Sequence, residues 1–255
     1  SYLPIWVLIT TPIITSATFL IGLVYFVKRF FLRSINIKKI SIHEDFWRGS
    51  NEKKDFYIFF NFFLIFVYII LSNASLFTGW RQLYFLHFFM VYIATFGIYF
   101  LNIFFQKEKL FFYSLFFLIL TNFYQIYLWH PLQGSYFNSL IANNKKNHFE
   151  VDYWGLAGVK FINHVLTLED NKKEIKIGVS SYIPLERSLK MLKKDQAMRV
   201  KIVGQDYQKA DYLFNNNMSE VNKFKNDKYL IPKNFKKIDE FYLNGFLIYE
   251  LYKKN

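Results

Sequence analysis

Residues 82–106 read QLYFLHFFMVYIATFGIYFLNIFFQ and contain no Asp, Glu, Lys or Arg. A helix rises about 1.5 Å per residue and needs roughly 20 apolar residues to cross about 30 Å of hydrocarbon. The stretch is long enough. The same exclusion of charge holds over residues 1–27 and 56–80 before it and 110–144 after it. A charge at the centre of a span costs about 2.5–3.5 kcal/mol on an insertion scale. Segregation this strict is what a bilayer requires and a water-soluble core does not. Four helical spans are expected, at about 2–27, 56–76, 83–105 and 110–129. They are read as helices because an open sheet edge cannot sit in lipid. Pro4 and Pro12 can kink the first.

The short loops set the orientation. The loop from Lys28 to Asp55 carries Lys28, Arg29, Arg33, Lys38, Lys39, Arg48, Lys53 and Lys54, whereas the next turn, about Phe77 to Gln82, carries Arg81 alone. The third turn carries Lys107 and Lys109. Loops one and three are therefore expected in the cytoplasm and loop two outside. Four crossings then put residues 130–255 outside, because long domains translocate largely regardless of charge.

From His130 onward the periodicity becomes that of a small α/β domain. Leu156, Val159, Ile162 and Leu166 share one helical face, which predicts an amphipathic helix over 155–168. EIKIGVSS, residues 174–181, alternates as a strand does. Pro184 opens a helix with a Leu185, Leu189, Leu192 stripe. Residues 199–203 and 210–214 are short strand candidates. Residues 238–243 and 246–252 flank Asn244-Gly245, the favoured pair for a tight hairpin. The expected fold is thus an α-helical transmembrane bundle of four spans in 1–129, followed by a small extracytoplasmic α/β domain in 130–255.

A net charge of +13 and a pI near 9.6 suggest a polyanionic partner. Nucleic acid is excluded by the spans; membrane lipid headgroups or an anionic lipid substrate fit better. The absence of Cys removes disulfides, thiolate nucleophiles and Cys-ligated metals. Ser1 opens directly into hydrophobic sequence without the basic region or cleavage site of a signal peptide, so the chain reads as a fragment missing its N-terminal part.

Four places are candidates for chemistry. Arg81, in Phe77-Thr78-Gly79-Trp80-Arg81-Gln82, is either a phosphate clamp or a snorkelling arginine beside an interfacial Trp. His130, in HPLQGSYFN, is either a proton shuttle or phosphate ligand, or a cap on the helix that Pro131 ends. Glu150 and Asp152 are spaced for one face of a strand, yet an acid just before a helix is also an ordinary N-terminal cap. His43, Glu44 and Asp45 resemble a ligand cluster but fall in a basic cytoplasmic loop, where a solvated loop is the simpler reading. Asn217-Met218-Ser219 fits a glycosylation sequon, a frequent match.

Taken in order, Leu3-Pro4-Ile5-Trp6 with Ile9-Thr10-Thr11-Pro12, Gly79-Trp80-Arg81 with Leu83-Tyr84-Phe85-Leu86, His130-Pro131 with Gln133 and Tyr136-Phe137-Asn138, and Asp152-Tyr153-Trp154-Gly155 form a series. The series resembles the C-terminal half of bacterial GT-C superfamily membrane glycosyltransferases related to dolichyl-phosphate-mannose protein mannosyltransferases (family 39-like), over about the first 155 residues. The sequence departs from that pattern at Thr78, at His87-Phe88 and at Gly134-Ser135.

The resemblance implies a multi-pass protein of the bacterial inner membrane that transfers a hexose, with inversion, from a polyprenyl-phosphate-linked sugar donor on the outer face. The acceptor is a glycan, lipid or protein left open. The family's catalytic acid belongs to an outer loop upstream of Ser1. Arg81 and His130 are implied to lie near the donor phosphate, with Trp80, Tyr136, Asp152 and Trp154 as possible lining. No cofactor is evident; a divalent metal has no ligand set here. Two rivals remain: a non-enzymatic membrane anchor displaying an outer α/β binding domain and, more weakly, a transporter subunit.

Overall fold

The computed structural model describes residues 2–35, 50–72, 83–105, 108–141, 149, 151–170, 174–218 and 227–255. The chain forms two compact units, Ser1–Tyr124 and Gln125–Asn255.

The first unit is helical. α1 (Tyr2–Thr10) and α2 (Ile13–Ile35) divide the first apolar segment between them. Pro4 falls in the first turn of α1, where no backbone donor is needed, and does not interrupt it. Pro12 does interrupt, because its ring displaces the preceding residues from helical geometry. Its carbonyl instead accepts the Ser16 N–H at 3.0 Å and starts α2 afresh. The apolar part of α2, Ile13–Lys28, is shorter than a full span. α3 (Ser50–Leu71), α4 (Tyr84–Phe105) and α5 (Glu108–Leu128) follow. Four spans were expected; among the described residues three helices are long and apolar enough to cross a membrane: Lys54–Leu71, Tyr84–Phe105 and Phe111–Leu128.

Glycine sets the approach of α2 to α4. A Cβ on Gly22 would lie 2.0 Å from the Ile93 carbonyl oxygen, and one on Gly97 would lie 2.0 Å from that of Thr18. The backbones therefore touch, as small residues permit where helices pack in lipid. Around this crossing Leu3, Phe62, Leu86, Met90 and Ile93 are buried, and Phe26 stacks on Phe59 at 4.5 Å. Tyr92 donates to the Asp55 carboxylate at 2.8 Å, tying α4 to α3. By contrast α5 turns Tyr113, Phe116, Phe117 and Phe123 outward, each more than 60% exposed. A polar solvent would penalise that surface; hydrocarbon would not.

The second unit is α/β. α6 (Gly158–Leu168) leads into β1 (Ile175–Val179), then α7 (Glu186–Leu189), α8 (Lys194–Met198), β2 (Val200–Gly204), β3 (Tyr212–Asn215), β4 (Phe235–Leu243) and β5 (Phe246–Lys254). The sheet order is β2-β1-β3-β5-β4. β1 is parallel to both neighbours, while β5 is antiparallel to β3 and β4. From β1 the chain steps outward to β2 and then back across to β3. Right-handed crossovers send these two connections to opposite faces. Accordingly α7 lies on α6, where a Gly158 Cβ would meet Ser188 Oγ at 2.2 Å. Tyr207, in the second connection, packs instead with Ala210, Leu213 and Phe235. Phe161 of α6 meets Phe214 and Tyr249 edge-on at 4.8 and 5.4 Å, filling the core beneath the helix.

Candidate functional site at the head of the parallel strands

The chain leaves β1 toward β2 on one side of the sheet and leaves β3 toward β4 and β5 on the other, so the carboxyl ends of β1 and β3 form a topological switch point, where open α/β sheets place ligands. Small polar residues end both strands: Ser180-Ser181 after β1, and Asn215-Asn216 at and beyond the end of β3. All four are buried. Ser181 Oγ donates to Asn216 Oδ1 at 2.7 Å, and Asn216 Nδ2 donates to the Asp152 backbone carbonyl at 3.4 Å. Ser180 Oγ donates to the Tyr229 carbonyl at 2.5 Å. These side chains are thus engaged by other groups of the protein.

Asp152 is the acid of this cluster. Its Oδ1 accepts the Leu156 N–H at 2.8 Å and its Oδ2 the Ala157 N–H at 3.3 Å. These are donors of the turn entering α6, so the carboxylate does the work of a cap. Burial pushes its pKa up to about 7, while the Ala157 and Leu156 amides and the Asn216 side chain pull the other way. Gly155 follows with φ +66°, and a Cβ there would come within 2.5 Å of Ile183 Cγ2. Only glycine suits this turn. It sends Asp152 inward and leaves Trp154 58% exposed.

The stretch after α5 is a second fixed element. Trp129 is buried, its ring 5.8 Å from Tyr136 and 5.7 Å from Phe246; Phe137 stacks on Phe246 at 4.9 Å. Backbone turns link His130 to Tyr127, Leu132 to Trp129 and Ser135 to Leu132. The His130–Pro131 bond is cis. His130 is exposed and its Nδ1 accepts from Gln133 Nε2 at 2.8 Å, which puts the proton of a neutral ring on Nε2. Tyr136 is half-buried, and burial pushes its hydroxyl pKa up. A Cβ on Gly134 would meet the Trp154 indole at 3.3 Å.

The structure thus brings the turn bearing His130 and Tyr136 against Trp154, and turns the Asp152 carboxylate away from them onto backbone amides. Trp80, Arg81, Glu150 and the His43, Glu44, Asp45 group lie outside the described residues. Ser180, Ser181 and Asn216 did not stand out in the sequence. The available signal was a run of small polar residues directly after each of two apolar strands. Among the described residues no cluster of His, Asp or Glu is arranged to hold a metal ion. Compared with known proteins, the chain matches no family model, no curated protein and no solved structure.

Proposed function

We propose that this chain serves in a membrane glycosyltransferase of the GT-C kind, acting on a polyprenyl-phosphate-linked sugar at the outer face of a bilayer. One observation supports the reading beyond the motif series itself. Two separate stretches of that series, His130–Asn138 and Asp152–Gly155, meet at Gly134 and Trp154. In this reading Arg81 and His130 face the donor phosphate, with Trp80, Tyr136 and Trp154 lining the approach. As the sugar leaves, charge gathers on the departing polyprenyl phosphate. A guanidinium at that position stabilises it by paired hydrogen bonds in a water-poor setting. Asp152 supports the turn from beneath and takes no part in proton transfer.

The test is sugar transfer from a radiolabelled polyprenyl-phosphate hexose by the full-length protein in proteoliposomes. Arg81→Ala is expected to lower the rate by about 100-fold, the scale of losing one preorganised donor, with membrane insertion unchanged. Equal rates remove Arg81 from the site.

The alternative is a membrane anchor that displays an α/β binding domain. It is favoured by the commitment of Asp152 to backbone amides. Saturable binding of a glycan without turnover of any lipid-linked sugar decides for it.

A further inference from the structure

We infer that a cleft within the helical unit, between α2, α4 and α5, holds one acyl chain of a bilayer phospholipid. This rests on reading α4 and α5 as spans and is independent of any sugar transfer. Ile98, Leu101 and Phe105 recur on α4 at the spacing of one helical face, and Phe111, Leu115 and Leu118 do the same on α5. The two stripes line a cavity of about 310 Å³, to which α2 adds Ile14 and Thr18. Each stripe covers two turns, a rise of about 10 Å. The cleft therefore follows the helices.

Where α2 meets α4 the backbones touch, whereas α5 leaves a void beside them. Protein interiors hold few voids larger than a water molecule, because the walls of a void lose their contacts. This one is about twice the size of an apolar cavity that stays dry and takes up benzene. Water would find little to bind. The lining has no ionisable side chain, and its hydroxyls are those of Thr18 and Ser114. Thr18 Oγ1 is turned onto its own helix, donating to the Ile14 and Thr15 carbonyls at 2.8 and 3.1 Å. A buried water needs roughly two to four polar partners. A hydrocarbon tail needs none. With no cation in the lining to grip a phosphate, the cleft selects the tail and leaves the headgroup outside. Phospholipids supply such tails in the greatest number, and nothing in the lining would favour a polyprenyl phosphate over them.

Native mass spectrometry of the full chain, washed in mild detergent, counts the lipid that stays. One phospholipid per chain is expected. Leu115→Trp fills the cleft and is expected to cut retention several-fold. Phe116→Trp, at an outward position 63% exposed, leaves retention unchanged. A second measurement needs no substitution. A phospholipid with a mid-chain diazirine is photolysed on the washed wild-type protein, and adducts are expected on Leu101 and Leu115 at several times the yield on Phe116. If Leu115→Trp does not fold, the crosslinks alone decide. Equal retention by a folded Leu115→Trp, or adducts spread evenly over 101, 115 and 116, overturns the proposal. So does a polyprenyl phosphate retained in place of phospholipid, or a washed chain that keeps no lipid.

Discussion

Asp152 shows how one carboxylate can be read two ways. Its spacing from Glu150 suggests a pair for acid–base work, and its place before a helix suggests a cap. The Leu156 and Ala157 amides decide for the cap. A pH signature follows. The folded-state carboxyl sits near 7 against an ordinary 3.8, so between those values the native state binds more protons than the unfolded one. Stability then falls as pH rises from about 4 to about 7. Asp152→Asn cannot titrate and is expected to flatten that part of the profile, at a cost of about 1–3 kcal/mol from the amide left facing a donor. Thermal unfolding followed from pH 4 to pH 8 checks both. The buried serines and asparagines beside it were not legible in the sequence. Ser181 and Asn216 are 35 positions apart and meet only through the parallel pairing of β1 with β3, which no local pattern encodes.

Among the elements, those governed by local rules were readable. Asn244 and Gly245 take φ of 50° and 78°, as a two-residue hairpin requires, and β4 and β5 pair around them. The helix over 155–168 and the strand over 174–181 appear as α6 and β1, trimmed at their ends. The helix expected after Pro184 appears as α7 but is a single turn, because tight turns at Met191 and Leu192 redirect the chain into α8 before the leucine stripe is complete. The contact of α2 with α4 was also hidden, since a glycine in an apolar run does not announce its partner. Gly97→Leu is expected to force these helices apart, because its Cβ would stand 2.0 Å from a backbone oxygen that cannot move aside. A loss of at least about 3 kcal/mol, the upper range for overpacking, should appear as a lower melting temperature in detergent. An equal melting temperature would show that the helices cross elsewhere.

At the scale of the whole molecule, the division into an apolar helical half and a basic α/β half was legible because charge is excluded from one and admitted to the other. The break in the first apolar segment was less so, because Pro12 divides it into α1 and α2, of which the apolar part of α2 covers Ile13–Lys28. Sidedness can be measured directly. A single cysteine replacing Asn255 is expected to react with a membrane-impermeant maleimide in intact cells, and reaction only after lysis would reverse the proposed sidedness. β4 has a further consequence under the proposed bilayer placement. It is the outermost strand of its sheet, displays Lys236, Lys237, Asp239 and Glu240, and is irregular in register at two places along its length. Confinement to a plane multiplies encounters between neighbouring copies, and a flat, uncharged border would invite them to zip together. This border carries solvated charges that pairing would strip of water, and kinks that fall out of step, so edge-to-edge growth between copies is disfavoured.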